Sequence, residues 1–423
     1  MFFAGSIKMA DTGIKVAYLN KDQKIWFIRA SSGIYARNFR TGGVIAINHL
    51  EKILGNRLGS EVPSEGKLRS VLLKNKDYYD FVVDNKTERE TKRLNRRGLN
   101  LLAQIKRFAY DIQAGDIIVT KNETDGYNIG VCSESEAFVD HSPIELPRAN
   151  DEIPKGPVLR YKFRKRVIWG PMINGKNLPH TIRRATRGQQ TVTNLSKHKV
   201  KIFHLIYPFF TDGDHLYFSN KILKEGDINS LVVGKLFENI SLAEKLIKEL
   251  VSDGEIDSRK LLLLLQKQMF SETDFVSCQA EFMSPGDMWC KIPLSQAYDL
   301  ITQVGAGVII CLLLTGQLSA AELKTISDAK NAATAVVKIN EDSPSSSMFK
   351  DKFQPAKPST ALKGIARKLN DKSSELEKLE SDRATREVKS NLQLEMTATR
   401  TEALEKFKYG INVIELRGVN ENN

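Results

Sequence analysis

Acidic residues are missing from one long stretch of this chain. Between Arg160 and Lys201 stand twelve basic residues (Arg160, Lys162, Arg164, Lys165, Arg166, Lys176, Arg183, Arg184, Arg187, Lys197, Lys199, Lys201) and no Asp or Glu. The 423-residue chain carries 63 Lys and Arg against 51 Asp and Glu, a net +12, so this stretch alone accounts for the excess. Solvated faces normally mix both signs. A block of one sign implies a polyanionic partner, either nucleic acid or an anionic membrane surface.

Cysteine is also scarce. Cys132, Cys278, Cys290 and Cys311 form no CxxC pair, which argues against a zinc cluster or a disulfide framework and fits a reducing cytosol. There is no Gly-rich phosphate loop and no GxSxG, so no cofactor and no serine-hydrolase chemistry are expected. The opening MFFAGSIKMADTG has too few apolar residues before Lys8 and Asp11 to be a signal peptide, and a cytoplasmic location is expected. Charge is absent from Leu300 to Ala321. Only Val304 to Leu314 of that segment is solidly apolar, about half of the roughly 20 residues a span needs. A buried core helix is therefore expected, with a transmembrane helix of an inner-membrane effector as the alternative.

At this length two or three units are expected. The N-terminal part alternates short strands with turns. Lys24–Arg29 and Gly43–Ile47 have the β-branched and aromatic content of strands and flank the loop SSGIYARNFRTGG. The charged KTERETKRLNRR predicts a solvated helix or a mobile loop. LNLLAQIKRFAYDI places Leu102, Ile105, Phe108, Ala109 and Ile112 at helical spacing. Ile117–Thr120 and Tyr127–Cys132 then make a strand pair across the turn Asn122–Gly126, and Leu159–Trp169 is a further strand. Together these predict a small closed or nearly closed β-barrel with helices.

IWFIRASSGIYARNF with GGVIAI, the helix leading into AGDIIVT, then YNIGVC, YKFRKRVIWGPMI and NLPHTIRRA resemble, in order and spacing, the amino-terminal reader domain of Mrr-like restriction proteins. That domain is similar to the PUA and EVE folds. The likeness covers about Lys24 to Leu195. It implies nucleic-acid binding, in several branches recognition of a modified base, and a restriction or anti-phage setting.

The rest is expected to be α+β and mainly helical over 199–338. SLAEKLIKELVSDGE has Ser241 as N-cap with Glu244 three residues on. LLLLLQKQMF follows as a buried helix, residues 275–292 make a hairpin, and a further helix spans Ser319 to about Val337. A Ser- and Pro-rich linker covers 339–361. Residues 362–423 predict a charged amphipathic helix or imperfect coiled coil and a short C-terminal strand, suited to oligomerisation or to recruiting an effector subunit.

Alternation along Arg160–Trp169 places Tyr161, Phe163, Lys165, Val167 and Trp169 on one face, with Arg160, Lys162, Arg164 and Arg166 on the other as an outward cationic row. With Arg183, Arg184 and Arg187 from RRATR, and Arg29 and Arg37 from the loop segment, these are the expected phosphate contacts, with DNA ahead of RNA as the polymer. A base pocket needs aromatic walls and a polar group for the base edge. Trp26, Tyr35 and Trp169 are the expected walls and Asp140 the edge contact. No carboxylate and lysine set for cleavage is present: EGK at Glu65 lacks its strand, and CQAEF at Cys278 lacks the lysine. A divergent nuclease is thus the weaker alternative, and no catalytic residue is assigned. Asp212 and Asp214 between His204 and His215 could hold a metal, but TDGDH reads better as a turn, and no metal site is expected.

Overall fold

The computed structural model describes residues 14–83, 90–147, 156–251, 277–280, 286–296, 299–315, 334–338, 388, 391–396 and 400–417. In chain order the described strands are β1 (Ile14–Tyr18), β2 (Ile25–Ile28), β3 (Val44–Ile47), β4 (Tyr79–Val83), β5 (Glu90–Leu94), β6 (Ile117–Lys121), β7 (Gly126–Cys132), β8 (Phe138–Val139), β9 (Phe163–Asn174), β10 (Val192–Asn194), β11 (Phe209–Thr211), β12 (His215–Ile222), β13 (Ser277–Ala280), β14 (Gly286–Pro293), β15 (Thr334–Lys338), β16 (Leu394–Met396) and β17 (Val413–Arg417). The helices are α1 (Ala36–Gly42), α2 (His49–Leu54), α3 (Glu65–Leu72), α4 (Arg96–Lys106), α5 (His180–Arg187), α6 (Lys199–Ile206), α7 (Ser230–Val251), α8 (Leu300–Leu314) and α9 (Glu402–Glu405). The fold is mixed α+β. It divides into one unit of Asp22–Lys199 with Arg400–Gly410 and another of Met1–Lys21, Val200–Thr399 and Ile411–Asn423.

In the Asp22–Lys199 unit a sheet of order β10-β2-β6-β7-β9-β3, with β8 beside β9, forms a half-barrel. β2 runs parallel to β6, and β6 and β7 make the antiparallel pair that the sequence predicts. Ile28, Ile45, Ile118, Phe163 and Val167 from the sheet meet Phe39, Leu50, Leu68, Leu102, Ile105 and Phe108 from α1 to α4 and the turn after it in one core. The register of long β9 with β7 shifts between Asn128 and Gly130, as at a β-bulge. Leu404 of α9 seats against Gly170 of β9, where a Cβ would come 2.6 Å from Leu404 Cδ2.

Several expectations change here. The loop SSGIYARNFRTGG contains α1. Where described, KTERETKRLNRR is mostly strand: it supplies β5, paired to β4, and only its last two residues open helix α4. The strand placed at Leu159–Trp169 begins at Phe163 and runs to Asn174.

Among its described residues, the other unit carries a larger sheet than the one expected hairpin. Its sheet runs β13-β14-β12-β11-β1-β17-β15, with β16 beside β12. α7 and α8 supply a core with Leu216, Phe218, Cys290 and Ile292. The strands went unseen because HLYFSNKI is almost wholly buried, so it shows no alternation, and because β1 and β17 pair across nearly the whole chain. The expected hairpin is realised as β13 on β14. Ser241 is no N-cap: α7 starts at Ser230 and runs through it. Thr334–Lys338, placed at the end of a helix, is strand β15 paired to β17. The linker, LLLLLQKQMF and most of the amphipathic segment lie outside the described residues.

Of the uncharged segment, residues 300–315 are described and 316–321 lie outside the described residues. α8 has 15 residues, about 22 Å at ~1.5 Å per residue, against the roughly 30 Å of a bilayer core. Among the described residues no helix is long and apolar enough to cross a membrane. α8 instead packs over β12 and α7, where a Cβ on Gly307 would come 2.4 Å from Leu216 Cδ2.

Candidate nucleic-acid interface

The acid-free stretch of sequence is not an acid-free surface. β8 pairs β9 with Phe138 opposite Arg164, and this brings Glu134 and Asp140 onto the cationic row. Arg164 is only 2% exposed. Its guanidinium donates to Asp140 Oδ2 at 2.7 Å, to Tyr161 O at 2.8 Å and to Ser142 O. Burial lowers its pKa, opposed by the Asp140 and Glu51 charges. Arg164 is therefore a structural cation and not an outward phosphate contact. Arg166 is exposed but pairs with Glu134 at 3.3 Å and lies over the Phe138 ring at 5.1 Å. Lys162 is half-buried, its backbone N–H donating to Glu51, and Arg160 is exposed just before β9.

Lys165 points inward, as alternation predicts, and is fully buried. Its ammonium donates to Ile112 O at 2.7 Å and to Ser135 O, and burial lowers its pKa. Buried cations persist only when hydrogen-bonded in this way.

Further exposed cations of the stretch lie on α5 and near it. HTIRRATR buries Ile182 and Thr186, four apart on one face, and exposes His180, Arg184 and Arg187 on the other. Thr186 meets the Tyr127 hydroxyl of β7 at 3.1 Å, which fixes the helix on the sheet. Arg29, expected as a phosphate contact, instead donates to Gly188 O and to Arg187 O at 3.3 Å. There it satisfies the last carbonyls of α5, as a cation at a helix C-terminus does. Arg183 is half-buried, and its Nε has no hydrogen-bond partner.

The acid beside this helix is Asp125, in the β6–β7 turn. Lys121 bonds it at 2.7 Å and holds its pKa down, with Arg183 and Arg187 adding to the effect. Lys176 and Lys197 are exposed on either side of α5, and Arg37 is exposed on α1.

The expected base pocket is only partly assembled. Trp26 is a core residue: it is buried, and its indole N–H donates to Asp116 Oδ2 at 2.9 Å. Asp116 also accepts from Lys24 N and Gln113 N, and its pKa is raised by burial despite these bonds. Asp140 is committed to Arg164 and Ser142 N, and the Ser142 bonds lead in lowering its pKa. Both residues are engaged within the fold, Trp26 by Asp116 and Asp140 by Arg164 and Ser142.

Tyr35 and Trp169 stay half-exposed, both beside α1. Tyr35 immediately precedes it and meets Tyr161 edge-on at 5.0 Å, while the Trp169 indole donates to Phe39 O at 2.9 Å. The β6–β7 pair of the same sheet holds two buried groups that the sequence did not signal. Thr120 and Asn128 stand opposite one another on β6 and β7, both buried, with Thr120 Oγ1 and Asn128 Oδ1 lacking hydrogen-bond partners. Alternation puts them on the face of Ile118 and Gly130, and Gly130 lies opposite Trp169. A threonine and an asparagine within strands carry no pattern that marks them in advance.

In the other unit, TDGDH is a turn: Asp212 accepts from Asp214 N at 3.0 Å, His215 N at 2.8 Å and the Tyr217 hydroxyl at 3.1 Å. Among the described residues no group of three or more potential metal ligands occurs. Glu65 opens α3 and pairs with Lys106 at 2.9 Å, so EGK is helical and not part of a cleavage strand. No family model, curated protein or solved structure matches the chain.

Proposed function

We propose that the Asp22–Lys199 unit is a nucleic-acid reader of the PUA/EVE kind, and that α5 with its flanks, not the outer face of β9, contacts the phosphate backbone. The observation that carries this reading is the exposed face of α5, where Arg184 and Arg187 project beside His180 and the neighbouring acid Asp125 is already engaged by Lys121. Phosphate contacts of this kind fix position and supply salt-dependent affinity.

Recognition of a base, modified or not, would fall to the region of Tyr35, Trp169, Thr120 and Asn128. Two buried polar groups without partners are costly in a fold, and such groups together with half-exposed aromatics suit the edge and face of an unstacked base. The remaining unit and the C-terminal segment would serve oligomerisation or effector recruitment in a restriction or anti-phage system, with DNA as the polymer; this context rests on the family resemblance alone.

Titrating the full chain against DNA and RNA duplexes, modified and unmodified, while varying salt tests the proposal. Log affinity that falls linearly with log salt is expected. Absence of binding to any of these polymers at low salt removes it.

A further inference from the structure

The β4–β5 hairpin is a second charged element, and α5 does not account for it. It is a two-stranded sheet that exposes Phe81 to 57% and Val83 to 55%. Phe81 and Tyr79 meet in a T-shaped arrangement at 5.4 Å, and more than half of Phe81 stays exposed. Lys92 stands opposite Phe81 in register, its Nζ 4.4 Å from the Tyr79 centroid and 5.6 Å from that of Phe81.

α4 begins directly against this hairpin, since Asn95 N donates to Tyr78 O at 3.0 Å. Its first turn carries Arg96 and Arg97 and no acid. Cations at a helix N-terminus oppose the macrodipole, so this placement works against the stability of α4. Breaches of a local rule of this kind concentrate at functional surfaces. The acids on the hairpin strands are Asp80, opposite Arg93 in register, and Glu90, opposite Val83.

We infer that this face binds single-stranded nucleic acid, with an unpaired base stacked on Phe81 and the adjoining phosphates met by Lys92, Arg96 and Arg97. An exposed ring flanked by cations is the combination that holds single strands. A duplex offers such a ring no open base face, because its bases already stack on each other. A second copy of the chain is disfavoured as the occupant, because pairing two such faces would bring their cations together. The inference is independent of α5, and either surface can fail without the other.

The test uses the full chain and two labelled probes, an oligothymidylate single strand and a duplex, with sedimentation velocity on the same samples. Phe81→Ala should weaken single-strand binding about tenfold and leave duplex binding unchanged, while Phe81→Trp restores it. Arg96→Gln with Arg97→Gln should lower the single-strand salt slope by roughly 0.7 for each phosphate no longer neutralised. Thermal melting of each variant checks the fold, which an exposed ring should scarcely affect. The inference is overturned if the wild type binds no single strand, or if Phe81→Ala leaves that affinity unchanged. It is equally overturned if Phe81→Ala only converts an oligomer into a monomer, which would assign the face to a second copy.

Discussion

Replacing Arg164 with Met separates a structural cation from a phosphate contact. Met keeps most of the apolar stem and removes the guanidinium. Three acceptors then lose their donor: Asp140 Oδ2, Tyr161 O and Ser142 O. Removing one partner of a fully buried pair costs about 3–5 kcal/mol. Asp140 is 37% exposed and can regain water, so the lower end, about 3 kcal/mol, applies. With a urea m-value of ~2–3 kcal/mol/M the unfolding midpoint should fall by about 1 M. Urea titration followed by tryptophan emission reads this, because Trp26 is buried in the same core. Duplex affinity under native conditions should keep its salt slope. An unchanged midpoint together with a slope lower by about one would show that Arg164 faces the polymer and not the core.

His204 is buried in the other unit, bonded to Ser219 Oγ at 2.7 Å and stacked on Trp289, and burial lowers its pKa to about 3 from 6.5. The unfolded chain therefore binds a proton that the fold refuses. Stability from this group is full above pH ~6.5 and declines as pH falls toward 3, by about 2 kcal/mol at pH 5 at ~1.36 kcal/mol per unit. Denaturation at pH 7 and pH 5 should show this loss, and His204→Gln should flatten it; equal pH dependence in both proteins removes the assignment. Thr120→Val deletes a buried hydroxyl oxygen that has no partner, so stability should rise by about 1 kcal/mol while binding to an unstacked or modified base weakens. A stability loss in melting experiments would mean that the hydroxyl is satisfied in the fold.

Legibility in the sequence follows the range of the interactions involved. α4, the β6–β7 pair and the inward turn of Lys165 were readable because local period decides them. Arg164 was not, because alternation alone places it outward, while Asp140 and Ser142, more than twenty positions away, bury it by way of β8. Trp26 looked like a pocket wall until Asp116, ninety positions on, claimed its indole N–H. The charge block was real as sequence, but Asp140 and Glu134, flanking β8, engage Arg164 and Arg166 in its first half, while the exposed face of α5 stays open. Thr120 and Asn128 became visible only through what they lack, a property that no residue pattern encodes.

The most direct measurement is the salt dependence of duplex binding by the full chain and by its Arg184→Ala, Arg187→Ala variant. If both arginines meet phosphates, the slope of log affinity on log salt should become shallower by about 1.8, at ~0.9 per phosphate. The gap between wild type and variant should then shrink roughly tenfold between 50 and 200 mM salt. A variant with wild-type affinity and slope, and an unaltered melting temperature, would contradict the placement of α5 on the nucleic acid.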